Sequence, residues 1–274
     1  MPKKFADLHI HTTLSDSTFS PKEVIERAKE HKLSAIAITD HDCVDAIEPA
    51  LQLAELYGIE IIPAVELSSE DNDLEVHILG YFIDWRDKRF AYELNEMRKR
   101  RIERMEKMIK KLKDHGVEIN IESIFKLSQC GSIGRLHIAQ AMLKGGYVKN
   151  IKEAFRKYIG DKAPCYVSGF RISPQEAIGT INRIGGIAVF AHPGTLKKED
   201  LLLDLVSDGL KGIEVYHPDH SQADILHYLK IATKYKLLVT GGSDCHGFGK
   251  EHILLGSVRI PYEFVEELKD AAKR

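Results

Sequence analysis

Residues 34–42 read SAIAITDHD. Ala35 to Ile38 are uniformly apolar, and the run ends in three ionisable side chains, Asp40, His41 and Asp42. A short continuous apolar run is the pattern of a strand buried on both faces, as in a parallel sheet. The same design recurs on either side of it: FADLHIH (5–11), IEIIPAVEL (59–67), GIAVFA (186–191) before His192, KGIEVY (211–216) before His217, and LLVTG (237–241) before Asp244 and His246. Helices are expected between these strands. Ser20-Pro21 with Glu23 makes an N-terminal capping box, Asp45–Tyr57 is closed by Gly58, and Ser173-Pro174 opens a helix to about Ile184. Further helices are expected over 199–207 and 220–235 and from near Tyr262. Leu74–Ile83 alternates like one arm of an antiparallel pair. Strands separated by helices of roughly 10–15 residues imply βαβ units, and a distorted (β/α)7 TIM-like barrel is expected rather than an open sheet.

Residues 88–165 differ. They are nearly strand-free, with a long helix from about Arg89 to His115 and shorter ones near 121–127, 135–144 and 151–158. The organisation expected is a barrel made of residues 1–87 and 166–274, carrying a small inserted helical domain over 88–165 that contributes substrate contacts. Between Arg98 and Lys113 the long helix carries nine cations against Glu103 and Glu106. A solvated face is the plain reading. The alternative is a basic wall for a polyanion, joined by Lys162 and Arg171.

Composition narrows the function classes. At 274 residues, 43% hydrophobic and 29% charged, the chain can bury a sizeable core. A formal charge of −2 excludes a globally basic nucleic-acid coat, so duplex DNA is not an expected partner. No run is long and apolar enough for a membrane span, and Met1-Pro2-Lys3-Lys4 leads straight into a strand rather than a signal segment. Cys43, Cys130, Cys165 and Cys245 are scattered without a CxxC pair, which suits reduced thiols and a cytoplasmic location. No obligate protein partner is expected.

The chain has 13 histidines, and their placement is informative. Ionisable side chains gather at the C-terminal ends of the expected strands: His9 and His11, His41, Glu66, His77, His192, His217, Asp244 and His246, with Asp16 just beyond the first. That rim is where barrel enzymes build active sites. In extended backbone, residues i and i+2 share a face, so His9 with His11 and Asp244 with His246 can each grip one site. Taken singly, His192 suits a loop, Glu66 a strand end, Asp16 a turn and Asp40 a helix cap; together they do not read as accidents. Mixed imidazole and carboxylate ligands suit Zn²⁺, Mn²⁺ or Fe²⁺. Nine ligand candidates exceed the needs of one ion, and clustered metals suit phosphoester hydrolysis. His31 and His115 are expected at helix C-termini, and Cys245 is expected to pack away from its neighbours.

DLHIHT with Asp16, TDHD, Glu66, His77, AHPG and GSDCHG, in this order, resemble the motifs of the PHP (polymerase and histidinol phosphatase) superfamily, over residues 5–83 and 173–260. Gly134–Ala139 (GRLHIA) further resembles the branch of nucleoside 3′,5′-bisphosphate phosphatases and 5′–3′ oligoribonucleotide exonucleases. The resemblance implies a distorted seven-stranded barrel with three divalent ions. One would take His9, His11, Glu66 and Asp244; a second would share Glu66 with His77 and His192; a third would take Asp16, His41 and His246. Many members have His where this chain has Asp16, and a carboxylate there favours Mn²⁺ or Fe²⁺ over Zn²⁺.

The activity expected is hydrolysis of a terminal phosphate of a nucleotide, first the 3′-phosphate of nucleoside 3′,5′-bisphosphates and second short 5′-phosphorylated RNA, by a metal-bridged hydroxide whose pKa coordination brings toward neutrality. Arg135, His137 and Arg171 are expected on a second phosphate, since the guanidinium fork matches it. His217 is the candidate proton donor, with a hydrogen bond to a ligand as its other reading. Asp40 and Asp7 are expected to accept from ligand imidazoles and fix their tautomers, and Glu214 to do the same or line the pocket. Histidinol-phosphate phosphatase and metal-dependent amidohydrolase are the alternative activities, and a binding module with a vestigial site is the non-enzyme alternative.

Overall fold

The computed structural model describes residues 3–128, 132–168, 172–196, 198–249 and 252–273. Eight strands form one sheet: β1 (Phe5–Ile10), β2 (Ala35–Ile38), β3 (Glu60–Asp71), β4 (Leu74–Tyr81), β5 (Ile187–Phe190), β6 (Gly212–Tyr216), β7 (Leu238–Gly241) and β8 (Ile260–Pro261). Their order is β7-β6-β5-β4-β3-β2-β1-β8. Pairing is parallel except where β4 lies antiparallel between β3 and β5, and where β8 meets β1. Beyond β7 the chain returns to β1, and His11 N–H donates to the Cys245 carbonyl at 3.0 Å. The sheet is thereby a nearly closed, distorted barrel. The eighth strand lies outside the expected seven; two residues, one of them Pro261, give no periodic signal, and its place is at a sheet edge.

Closure at that seam depends on a glycine. A Cβ on Gly242 would stand 2.3 Å from the His9 nitrogen and 2.4 Å from its Cβ, so only a bare backbone passes there.

Alanines and a few larger side chains share the narrow bore of the barrel. Ala6, Leu8, Ala35, Ala37, Ile62, Ala64, Leu79 and Tyr81 pack together inside, and the Tyr81 hydroxyl donates across to the Leu8 carbonyl at 2.9 Å. Alternate residues such as Ile36, Ile38 and Ile61 face outward onto helices α1 (Pro21–Glu30) and α2 (Ile47–Tyr57). The α1 capping box forms as the sequence predicts: Ser20 Oγ accepts from Glu23 N–H, and Glu23 accepts from Ser20 N–H. Helices α7 (Pro174–Arg183), α8 (Glu199–Ser207), α9 (Gln222–Tyr235) and α10 (Glu263–Ala272) complete the outer layer.

Between β4 and α7 lie α3 (Lys88–Asp114), α4 (Ile121–Phe125), α5 (Arg135–Lys144) and α6 (Ile151–Ala154), which continues into a π-helical turn, Phe155–Ile159. They share an apolar cluster that includes Met105, Met108, Leu112, Ile138 and Met142. Helix α3 belongs to both bodies, since Phe90 and Leu94 pack in the barrel's outer core. The solvated or substrate-facing charge expected for α3 is only partly there. Arg101 and Arg104 are buried, and Arg98 pairs with Asp45 at 2.9 Å. Cys43, Cys165 and Cys245 are buried free thiols. Among the described residues no helix is long and apolar enough to cross a membrane.

Candidate metal centre

Register decides which side chains enter the barrel mouth. In β1, Ala6 and Leu8 point inward, yet pairing with β2 slips between Asp7 and Ile10. A one-residue slip exchanges the two faces of a strand. His9 and His11 therefore continue the inward column, while Ile10 packs outward with Phe19 and Ile36. Asp16 comes from the loop after β1, and the remaining groups arrive from the ends of β2, β5 and β7 and from the middle of the β3–β4 pair. Asp42, His192 and Asp244 hold left-handed backbone, with φ of 49°, 29° and 47°. That conformation costs roughly 1 kcal/mol or more for a non-glycine residue, and such strain concentrates at functional sites.

All nine expected ligand side chains converge. His9 Nε2 and His11 Nε2 lie 3.3 and 3.2 Å from Glu66 Oε2, and 3.4 and 3.1 Å from Asp244 Oδ1. Glu66 Oε1 lies 2.8 Å from His77 Nδ1 and 3.2 Å from His192 Nε2, which are themselves 3.3 Å apart. Asp16 lies 3.2 Å from His246 Nε2 and 3.9 Å from His41 Nε2. The groups overlap more than the sequence implied. His11 also falls within metal-ligand range of Asp16, His41 and His246, and His41 falls within range of Glu66 and His77.

These side chains fit a cation. His9 Nε2, His11 Nε2, His41 Nδ1 and Glu66 Oε2 are buried without a hydrogen-bond partner, although they crowd one another. Buried polar atoms are normally satisfied, so four orphans aimed into one space mark a place for a shared positive charge. Protons substitute for that charge electrostatically. Burial disfavours the His9 imidazolium, but the carboxylates of Glu214, Glu66 and Asp244 hold its pKa well above the ordinary value. His11 and His77 are likewise held up to about 9 against burial by neighbouring carboxylates. Burial also opposes ionisation of Glu66, and the surrounding imidazoles bring it well below the usual range.

Around the cluster the structure assigns roles more sharply. Glu214 Oε1 lies 3.0 Å from His9 Nδ1, and its other oxygen accepts from His192 N–H at 2.8 Å. One carboxylate thus fixes two candidate ligand residues, as a carboxylate behind a metal-binding histidine does. Asp40 and Asp7 brace backbone and hydroxyls rather than imidazoles. Asp40 accepts from Thr12 N–H at 2.7 Å and from the Thr12 and Ser15 hydroxyls at 2.6 and 2.5 Å, tying down the loop that carries Asp16. Asp7 accepts from Ser243 N–H at 2.8 Å and Gly256 N–H at 3.1 Å, and burial pushes its carboxyl up to about 6.

His217 Nδ1 accepts from Asp219 N–H at 3.1 Å, which leaves the ring proton on Nε2, 3.4 Å from Asp244 Oδ2. Arg135, at the first turn of α5, lines the same cavity of about 470 Å³ as His77, His192 and His217. Its guanidinium is bound to Glu75 and to Asp161. His137 is not a cavity residue. It is 1% exposed, and its Nδ1 accepts from Gly134 N–H at 3.1 Å, closing the start of α5. Arg171 lies outside the described residues.

Three contributors were not anticipated. Glu75 Oε1 is 3.0 Å from His77 Nε2. Arg101 donates to Asp42 at 2.5 Å, to Ser68 Oγ at 2.6 Å and to the Ile133 carbonyl at 3.2 Å, and it also reaches the cavity wall. His220 accepts from Gly194 N–H at 3.0 Å and lies 2.8 Å from the Val215 carbonyl, holding the turn that presents His192. The i, i+2 rule that pairs His9 with His11 also pairs Glu75 with His77, so that signal was present in the sequence.

A nearly closed barrel with imidazole and carboxylate clusters at its mouth is the architecture of a metal-dependent phosphoesterase. A family model described as the PHP domain matches residues 7–162, and the chain belongs to that family. It is 34% identical over 250 residues to the 3′,5′-nucleoside bisphosphate phosphatase of Chromobacterium violaceum, covering 89% of this chain and 88% of that protein. It is 31% identical over 249 residues to the phosphoribosyl 1,2-cyclic phosphate 1,2-diphosphodiesterase of Eggerthella lenta, covering 89% and 95%. It is 30% identical over 249 residues to the 5′-3′ exoribonuclease Rnm of Escherichia coli, covering 88% and 84%. A solved structure from Bifidobacterium adolescentis, provisionally described as a metal-dependent phosphoesterase, superposes with a TM-score of 0.89 at 30% identity, covering 97% and 96%. The chain is a metal-dependent phosphoesterase, a hydrolase of the PHP family.

Proposed function

We propose that the protein hydrolyses the 3′-phosphate of nucleoside 3′,5′-bisphosphates and shortens small 5′-phosphorylated RNAs. The observation that carries this reading is Arg135, which stands on the wall of the cavity that holds the ligand cluster. A guanidinium there binds a phosphate that does not react. The relatives favour such a substrate, since the names of the bisphosphate phosphatase and of the cyclic phosphodiesterase each describe a ribose carrying two phosphate groups.

Three ions are proposed, in sets around His9–His11–Asp244, Glu66–His77–His192 and Asp16–His41–His246. Mn²⁺ is favoured because Asp16 adds a hard oxygen donor. Bound metal supplies Lewis-acid charge and an activated water. The chain's own residues do the rest. Glu214 and Glu75 fix the ligand rings, Arg135 orients the substrate through its second phosphate, and His217 Nε2–H donates to the leaving oxygen. Residues 88–165 act as an inserted unit that brings Arg135 to the barrel. Buried reduced thiols suit work in the cytoplasm.

The test is phosphate release by Mn²⁺-reconstituted protein from adenosine 3′,5′-bisphosphate, AMP, histidinol phosphate, a 1,2-cyclic phosphate of ribose 5-phosphate, and a 5′-phosphorylated short RNA. Preference for the bisphosphate with stepwise RNA shortening is expected, and Arg135→Ala is expected to lower kcat/KM for the bisphosphate by about 10–100-fold, the worth of one charged hydrogen-bonded contact. Preference for histidinol phosphate, or an Arg135→Ala variant with unaltered kcat/KM, overturns the reading.

A further inference from the structure

The cavity over the ligand cluster does not end at Asp244. A second cavity of about 510 Å³ opens beside it, and Phe155, His217 and Asp244 line both. Ile151 and Phe155 form its wall on the helical side, facing Pro218 and Leu254 from the barrel's loops.

Local structure places Phe155 deliberately. The Asn150 side chain caps α6 by accepting from Glu153 N–H. At Phe155 the helix widens into its π-helical turn, and Gly160 N–H closes that turn on the Phe155 carbonyl at 2.8 Å. A Cβ at Gly160 would lie 2.5 Å from that oxygen, so the turn needs glycine. Single π-helical turns of this kind occur frequently at functional sites. Phe155 is half-buried, packed on the helical cluster on one side and lining the cavity on the other. Its ring centroid is 5.4 Å from the Arg135 guanidinium carbon. One aromatic ring therefore stands between the phosphate-binding arginine and the second cavity.

We infer that the second cavity is the nucleobase subsite, in which the base stacks on Phe155 between the helical segment and the barrel loops. The inference rests on the phosphoesterase reading proposed above and adds to it what holds the rest of the substrate. The occupant must connect through a sugar to the cluster, and the two cavities are continuous at His217 and Asp244. A flat face matches Phe155, Ile151, Pro218 and Leu254. Lys152, Asp219 and His252 also line the cavity and offer polar partners to the edge of a base. The volume falls in the ordinary range for small-molecule sites and admits a purine. Stacking accepts any base, because every base has a π-face, so the subsite is base-tolerant with purines ahead of pyrimidines.

The experiment compares kcat/KM for adenosine 3′,5′-bisphosphate with that for the abasic 1,4-anhydroribitol 3,5-bisphosphate, in wild type, Phe155→Ala and Phe155→Trp. The ratio of the two cancels any change in the shared phosphate and metal machinery. In wild type the nucleotide is expected to lead; alanine lowers that ratio by about 5–100-fold, the worth of one stacked base, and tryptophan retains it. An alanine variant with an unchanged ratio overturns the subsite, whatever its absolute rate. Wild-type protein that hydrolyses the abasic bisphosphate as well as the nucleotide also overturns it, while leaving the phosphoesterase reading intact. Wild-type protein that hydrolyses neither removes both.

Discussion

Glu75 joins His77 to Arg135: one of its oxygens lies 3.0 Å from His77 Nε2, and the other pairs with the Arg135 guanidinium. A single carboxylate on β4 thus orients a candidate metal ligand and holds the proposed phosphate clamp in place. Glu75→Gln keeps the shape and removes the charge. It is expected to weaken metal binding about 10–100-fold, as loss of an outer-shell partner does, and to raise KM as Arg135 loosens. Metal titration alongside steady-state kinetics checks both; a change in neither would mean that Glu75 only fills space.

Glu214 is buried at 0% exposure and grips His9 and the His192 backbone at once. Glu214→Gln should also cost about 10–100-fold in metal affinity, and excess Mn²⁺ should restore much of the rate. A rate deficit that saturating metal leaves untouched would show that the carboxylate acts on the reaction instead.

His217 is expected to act as a proton donor, so His217→Asn should lower kcat by about 10²–10⁴-fold with a small effect on KM. An unchanged kcat in the variant would assign the proton to another group.

Arg101 is locked into Asp42, Ser68 and the Ile133 carbonyl while 7% exposed. Arg101→Met leaves Asp42 buried without its cation, a change that typically costs about 3–5 kcal/mol. A clear fall in thermal midpoint is expected, partly recovered in the double variant Arg101→Met, Asp42→Asn. An unchanged midpoint in the single variant would contradict the structural role given to this pair.

Protons and metal compete for the cluster. His11 and His77 are held up to about 9 from an ordinary 6.5 in the protein without metal. A raised folded-state pKa stabilises below the unfolded value, so this contribution is whole below about pH 6.5 and lost as pH climbs through about 9. EDTA-treated protein should therefore melt at lower temperature as pH rises across that window. Metal-loaded protein should gain from the same rise, because its ligands must be deprotonated. Parallel melting curves with and without EDTA test the opposing slopes.

Much of this was legible in the sequence for a definite reason. Strand ends that carry His or Asp after an apolar run mark a barrel rim, and His9-x-His11 and Asp244-x-His246 announce shared faces. Other features depend on tertiary register. Asp40 and Asp7 have the right chemistry to hold imidazoles, yet the loops after β1 and β7 fold back and take their oxygens first. Arg101 was hidden among the cations of α3, although it follows Leu94 and Met97 and precedes Met105 and Met108 along the buried stripe. His220 has no local pattern at all; its partner Gly194 comes from a different loop.

The seam at Gly242 also governs when the site can exist. His9 and His11 leave the ribosome early, whereas Asp244 and His246 emerge after nearly all of the chain, and the bare backbone at Gly242 is what lets them meet. A nascent chain that ends before residue 244 lacks one side chain from two of the three proposed ligand sets. Two of the three proposed ions therefore wait on the last stage of synthesis, while Glu66, His77 and His192 are already in the chain.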